Sequence, residues 1–341
     1  MLGNPVAADE RRRLMDIAYG FMASKALFAA LELDLFTDLA DGPQTCAELS
    51  ARTAMAPNRM QTLLHALTAL GLTACDDGAY SAAPAARRWL VRGATDAYGD
   101  YLRLQVARQI YPALLHLDVG LAGTGGSSDR LPGLLADAGG ARTFTAGQHV
   151  ASLGPAQALA RRLPIRDARS LLDVGGGSGA FTIALCDRNP ALRSTLLDLP
   201  AVADLAHDYC AEAGLSDRVD FLAGDALACG WPGDQDVVLM SHLLSALGDG
   251  EVDVVLARAM DSLRPGGLVV LHDFMLDDSG HGPVIAALWF LQYVAYRSDG
   301  VSFSAADLRA RLRGHGFLPT TTEVLIPGLT KVVLARKGDP S

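Results

Sequence analysis

The chain lacks the features that would commit it to a disulfide framework, a membrane or a polyanion. Its 341 residues hold five cysteines, Cys46, Cys75, Cys186, Cys210 and Cys229, odd in number, scattered and nowhere at C-x-x-C spacing. That argues against both a disulfide scaffold and a zinc site, and no bound metal is expected. No apolar run reaches the roughly 18 residues of a membrane span and the N-terminus has no hydrophobic signal core, so the expected location is the cytoplasm, with no membrane partner. Basic residues are in the minority, 29 against 38 acidic, and the formal charge of −9 repels a phosphate backbone. Nucleic acid is therefore not an expected partner. Half of the residues are hydrophobic and a fifth charged, an ordinary globular composition, and the length predicts two domains that each bury a core.

Glycine, by contrast, is concentrated where it matters. The stretch Leu171-Leu172-Asp173-Val174-Gly175-Gly176-Gly177-Ser178-Gly179 is a short apolar run that breaks into glycines and leads into Ala180-Phe181-Thr182-Ile183-Ala184-Leu185. It reads as strand, tight turn and helix, with bare backbone that a ligand can approach. Gly175, Gly177 and Ala180 also fit the dinucleotide fingerprint, so at this point the cofactor is undecided.

Upstream, residues 10 to 40 carry Leu14, Ile17, Ala18, Phe21, Met22, Leu27, Leu31 and Leu35 at helical spacing, as two helices would. Thr45-Cys46-Ala47-Glu48 fits a capping box, and Ala56-Pro57-Asn58 opens a second helix through Leu63, Leu64, Leu67 and Leu70. The turn Asp76-Asp77-Gly78 then separates two short extended pieces, which completes a winged-helix plan. That plan either reads DNA or buries surplus apolar surface against a second copy. Asn58, Arg59 and Gln61 are the obvious polar readers on the second helix, and the chain is acidic, which favours a two-fold dimer. Arg11-Arg12-Arg13 reads as a solvated helix face.

Residues 96–163 read as a helical connector, interrupted at Gly123–Ser128 by a loop, and Pro164 to Ser170 link it to the second domain. From there strands and helices alternate: strands at Leu171–Val174, Ser194–Leu197, Val219–Leu222, Asp236–Met240 and Leu268–Leu271, with helices to Arg188, over Pro200–Ala213 and to Leu263. The pattern predicts an α/β domain, 164–341, with a parallel sheet and its ligand at the carboxyl ends of the strands, behind an all-α winged-helix domain, 1–95.

Asp198 ends the second of these strands about 20 residues after the glycine turn, where a carboxylate can take both ribose hydroxyls of an adenosine. The third ends in Gly224-Asp225-Ala226, and Arg264-Pro265-Gly266-Gly267 turns into the fifth. Isolated, either aspartate would be a helix cap or turn residue. Together the three motifs resemble the class I S-adenosylmethionine-dependent methyltransferases, and the layout of the whole chain resembles the plant-type and antibiotic-pathway small-molecule O-methyltransferases. The resemblance implies a homodimer through the first domain and S-adenosylmethionine as cofactor. It places Asp173, Gly175 and Gly177 at the cofactor's methionine side, with Ser152 and Ser241, Asp198 and Leu199 at the ribose, and Asp225 and Ala226 at the adenine. It implies a closing hairpin from Leu318–Ile326 and Lys331–Arg336.

In O-methyltransferases of this kind a histidine after the fourth strand serves as base. Here the segment reads Ser241-His242-Leu243-Leu244-Ser245-Ala246-Leu247-Gly248-Asp249, and Ser245 occupies that position. An ordinary serine cannot deprotonate a phenol, whose pKa is about 10. His242, three residues earlier and on nearly the same face if a helix starts that early, and His149 become the candidate bases; His272-Asp273 lies nearby. The wording Gln148–Pro155, Met240–Ala246 and His272–Met275 resembles natural-product C-methyltransferases that act on the ring of tyrosine or 3-hydroxykynurenine. Phe144, Gln148 and the aromatics Trp289, Phe290 and Tyr293 of a helix over Pro283–Arg297 are the expected substrate contacts, with Arg297 or Arg108 for a substrate carboxylate. The readings that stand are ring C-methylation of a phenolic aromatic, phenol O-methylation, or an enzyme that keeps the cofactor without transferring methyl.

Overall fold

The computed structural model describes residues 5–95, 97–122, 138–318 and 321–338. They form two compact units, Met1–Arg108 and Gln109–Ser341. The loop expected at Gly123–Ser128 lies outside the described residues.

The first unit runs α1 (Pro5–Glu32), α2 (Leu35–Asp38), β1 (Gln44–Thr45), α3 (Cys46–Thr53), α4 (Pro57–Ala69), β2 (Thr73–Asp76), β3 (Ala79–Ala82), α5 (Pro84–Trp89) and α6 (Gly99–Tyr101). Local chemistry explains its starts. The Thr45 hydroxyl accepts the Glu48 N–H while the Thr45 N–H donates to the Glu48 carboxylate at 2.7 Å, a reciprocal capping box. Pro57 stands at the first turn of α4, where its missing N–H costs nothing. Met60, Leu64 and Leu67 then face a core shared with Leu35, Phe36, Leu39 and Leu49. The unit is helical but not wholly so: β1 joins the wing hairpin as a third strand, in the order β1-β3-β2.

No continuous apolar run of about 18 residues, the length of a membrane span, was expected, and α1 adds a qualification by average composition. Asp9–Glu32 is, by length and composition, long and apolar enough, with mean hydropathy 1.4 over its most apolar window. Averaging over alanines and scattered leucines tolerates the interrupting charges that break a continuous run. Leu14, Ile17, Phe21 and Met22 on this helix are at least half exposed in the single chain.

In the second unit, α7 (Tyr111–Leu114), α8 (Leu117–Leu121) and α9 (Ala138–Arg162) precede the alternation β4 (Ser170–Val174), α10 (Ala180–Arg188), β5 (Arg193–Asp198), α11 (Pro200–Glu212), β6 (Val219–Ala223), β7 (Gln235–Ser241), α12 (Asp249–Ser262) and β8 (Leu263–Phe274). The chain ends with α13 (Val284–Tyr296), α14 (Ala305–Gly314), β9 (Thr321–Ile326) and β10 (Thr330–Arg336). The seven-stranded sheet has the order β6-β5-β4-β7-β8-β10-β9. Its first five strands are parallel, and β10 pairs antiparallel with both β8 and β9.

Both faces are covered, so successive residues of one strand enter different cores. Leu172 and Val174 pack with Val252, Val255 and Leu308 on one face, and Leu171 packs with Leu159, Phe181 and Leu185 on the other. The fifth parallel strand is longer than its apolar run predicts, because the register slips between Gln235 and Val237 and lets Leu263 pair ahead of the turn at Gly266. Strand order reverses at β4 and β7, which opens a crevice at their carboxyl ends.

Candidate active site

That crevice holds a cavity of about 660 Å³, within the range that takes a cofactor or a small-molecule ligand. The glycine turn builds its floor. Gly175, Gly177 and Gly179 all have φ between 58° and 77°, the left-handed region that glycine enters without a Cβ penalty. Gly176 is constrained differently, since a Cβ there would stand 2.6 Å from Leu196 Cγ.

Two aspartates flank the floor. Asp198 Oδ2 accepts the Gly177 N–H at 2.8 Å and its Oδ1 accepts the Leu199 N–H at 2.7 Å. Each oxygen thus keeps a lone pair for a further donor, as two ribose hydroxyls would require. Asp173, 1% exposed, accepts from the Thr182 hydroxyl at 2.7 Å. Burial pushes Asp198 up to about 6 and, with help from the Asp198 charge, Asp173 up to about 7. Asp225 lines the cavity and accepts the Leu227 N–H at 2.8 Å, so it is a turn residue and a cavity residue at once.

Every residue expected at the cofactor, Ser152, Asp173, Gly175, Gly177, Asp198, Leu199, Asp225, Ala226 and Ser241, lines this one cavity. Phe144, Gln148 and Ser152 reach it from one face of α9 at intervals of four. Of the expected aromatics on α13, Tyr293 lines it, whereas Trp289 stacks on Phe274 at 4.2 Å and Phe290 is buried against Phe303. Phe290 and Tyr293, three residues apart, lie on neighbouring parts of one helix face and both are buried, but only Tyr293 reaches the crevice.

The histidines separate sharply. His242 lines the cavity at the end of β7 with φ 55°. It shares no helix face with Ser245, because only a short 3₁₀ turn, Leu244–Ala246, follows and α12 starts at Asp249. Nδ1 of His242 is buried without a hydrogen-bond partner and lies 3.6 Å from Asp273 Oδ1, the nearest carboxylate. Asp273 is itself fixed by the Ser245 N–H at 3.0 Å and the Phe274 N–H at 2.8 Å. Ser245 is fully buried, does not line the cavity, and contributes its backbone N–H to that carboxylate. His149 does not line the cavity either. It is stacked on Tyr209 at 4.0 Å and joined to Ser178 at 2.8 Å through Nδ1, and burial holds its pKa below the usual imidazole range.

Arg108 is paired with Glu32 at 2.7 Å within the first unit, and Arg297 lines the cavity. The Arg297 guanidinium is held by both Glu251 at 2.8 Å and Asp299 at 2.9 Å, and these two acids line the cavity as well. Glu251 and Asp299 carried no signal in the sequence, since they come from separate segments and match no motif.

A parallel sheet with a glycine turn after its central strand, acidic side chains at the ends of the strands beside it, and a closing antiparallel hairpin defines the class I S-adenosylmethionine-dependent methyltransferases. Residues 136–318 match the O-methyltransferase domain and residues 15–92 the O-methyltransferase dimerisation domain. The chain is 32% identical over 339 residues to 3-hydroxy-5-methyl-1-naphthoate 3-O-methyltransferase of Streptomyces sahachiroi, covering 98% of each. It is 30% identical over 334 residues to L-tyrosine C(3)-methyltransferase of Streptomyces lavendulae, covering 94% of this chain and 91% of that one. Human N-acetylserotonin methyltransferase, solved with S-adenosylmethionine, superposes with a TM-score of 0.86 at 22% identity, over 97% of this chain and 98% of that one. The chain belongs to the O-methyltransferase family and is an S-adenosylmethionine-dependent methyltransferase.

Proposed function

We propose that the enzyme methylates a phenolic aromatic small molecule in natural-product biosynthesis at a ring carbon beside the hydroxyl, with His242 as the base and Asp273 orienting it, as a homodimer joined through the first unit. The observation that carries this is the pairing at the strand ends. The only histidine lining the cavity among the described residues has its buried Nδ1 turned to a carboxylate, while Ser245, at the usual base position, is sealed in the core.

S-adenosylmethionine supplies an electrophilic methyl on a sulfonium. Asp198, Asp225 and the Gly175–Gly179 turn would hold it, with Ser152 and Ser241 available to its amino-acid end. His242 accepts the phenolic proton, and Asp273 stabilises the imidazolium at Nδ1. The resulting phenoxide places charge on the ring carbons beside it as well as on oxygen. Which atom is alkylated then depends on which one the walls hold toward the methyl group. At carbon, the new C–C bond replaces the methyl–sulfur bond, the donor would leave as the neutral thioether, and the ring carbon gives up its hydrogen as a proton to solvent as aromaticity returns. Phe144, Gln148 and Tyr293 are the walls available for that task.

The tyrosine C-methylating relative at 30% identity supports carbon, and the naphthoate relative at 32% supports oxygen. The displacement of the base from position 245 to 242 tips the choice to carbon. Incubation with S-adenosylmethionine and L-tyrosine or 3-hydroxykynurenine, followed by NMR of the product, decides it: a ring methyl is expected, and a methyl ether would refute the carbon assignment.

A further inference from the structure

We propose that His272 is a positioning residue that fixes the Ser241 hydroxyl as a hydrogen-bond donor into the cofactor side of the cavity and backs the ring of His242.

His272 lies on β8 beside Ser241 of β7, and the two are register partners in the sheet. It is 1% exposed, its Nδ1 is 2.8 Å from Ser241 Oγ, and its Nε2 is buried without a hydrogen-bond partner. The ring is clasped by Phe181, with centroids 5.3 Å apart, and by His242, edge-on at 4.5 Å. Burial, with His242 alongside, holds its pKa well below the usual imidazole range. A neutral imidazole carries one proton, on one nitrogen. If that proton were on Nε2, a buried N–H would go unsatisfied; on Nδ1 it is donated to Ser241 Oγ, and only a lone pair is left bare, the cheaper arrangement. Ser241 Oγ then accepts from behind, and its own hydrogen is directed away from His272, toward the cavity that the residue lines. The group it meets must be a hydrogen-bond acceptor, the class to which a carboxylate or hydroxyl oxygen of the cofactor belongs. The titratable groups around this arrangement are His242 and Asp273.

This inference rests on the placement of Ser241 at the cofactor, so it is tested by binding and needs no acceptor substrate. Calorimetric titration with S-adenosylhomocysteine is run on the wild type, Ser241→Ala, His272→Phe, His272→Asn and the Ser241→Ala/His272→Phe double variant, with melting temperatures alongside. Ser241→Ala and His272→Phe are each expected to weaken binding about five- to tenfold, and the double variant no further, because both remove one directed hydrogen bond. His272→Asn, whose amide N–H stands near the place of Nδ1, is expected to bind within about twofold of wild type. Additive losses in the double variant, or undiminished affinity in Ser241→Ala, overturn the proposal, and the latter result holds even if His272→Phe does not fold. Failure of the wild type to bind overturns the cofactor assignment itself, a different result from loss of the coupling.

Discussion

Asp198→Asn separates what the donor site costs the fold from what it gives the ligand. In the unliganded protein the carboxylate satisfies the Gly177 and Leu199 N–H groups but sits in a poorly solvated crevice, which pushes its pKa from 3.8 up to about 6. A raised pKa means that this group's stabilisation is fully present below about pH 4 and is lost as the pH rises through about 6. At pH 8 the two-unit shift sets an upper bound of about 3 kcal/mol on the cost of ionised Asp198, reduced by its partial exposure to the cavity. Asparagine removes that cost but turns an NH₂ toward one of the two backbone donors, at about 1 kcal/mol. The melting temperature at pH 8 is therefore expected to stay within a few degrees of wild type or to rise.

Ligand binding should respond in the opposite direction. Hydrogen bonds to a charged acceptor are worth about 1.5–3 kcal/mol, so S-adenosylhomocysteine affinity should fall roughly 10- to 150-fold. Wild-type affinity should also climb from pH 5 to above 7 as Asp198 ionises, with proton release near pH 6. In the variant only the part due to Asp173 should remain, shifted to lower pH because the Asp198 charge that helps to raise it is gone. Calorimetry across that range is the assay. Wild-type affinity flat between pH 5 and 8, or an asparagine variant that binds as tightly as wild type, would refute the assignment of Asp198 to the ribose.

Three further outcomes follow from other parts of the molecule. His242→Asn keeps a residue that tolerates φ 55°, so methyl transfer should fall by about 10²–10⁴ while S-adenosylhomocysteine affinity is kept; unchanged turnover would exclude His242 as the base. Gly176→Ala drives a methyl against Leu196 and should destabilise by about 1–3 kcal/mol in chemical denaturation, more than Gly177→Ala, which meets open space and carries only backbone strain. Ile17→Glu places a charge on the exposed apolar side of α1 and should shift the protein from dimer to monomer in light scattering without loss of helical signal; a variant that remains dimeric would place the interface elsewhere.

The residues gathered at the floor of the crevice were legible in the sequence because each of their motifs is local. A glycine turn, an aspartate closing a strand and an aspartate opening a turn each have a sequence signature, and the parallel sheet that follows from alternating strands and helices brings all strand ends to one edge. The capping box at Thr45 and the helix start at Pro57 were legible for the same reason. The acceptor end was not. His149 and His242 look alike in the sequence, yet one is stacked between Tyr209 and Ser178 and the other faces the cavity. Trp289 and Phe290 share the helix and nearly the face of Tyr293, but packing on Phe274 and Phe303 takes them up and leaves Tyr293 to line the crevice. The ion pair of Arg297 with Glu251 joins residues 46 positions apart, a partnership no periodicity encodes.

The amino-acid sequence by itself determined the helical first part, the parallel sheet behind it and the cofactor class, because backbone dihedrals, caps and hydrophobic period act over a few residues. The tertiary structure decided which histidine meets the cavity, that Asp273 stands behind it, and that Ser245 gives its backbone rather than its side chain. Those depend on where a β7 residue with φ 55° points relative to the neighbouring β8, and packing across a sheet, not spacing along a chain, sets that direction.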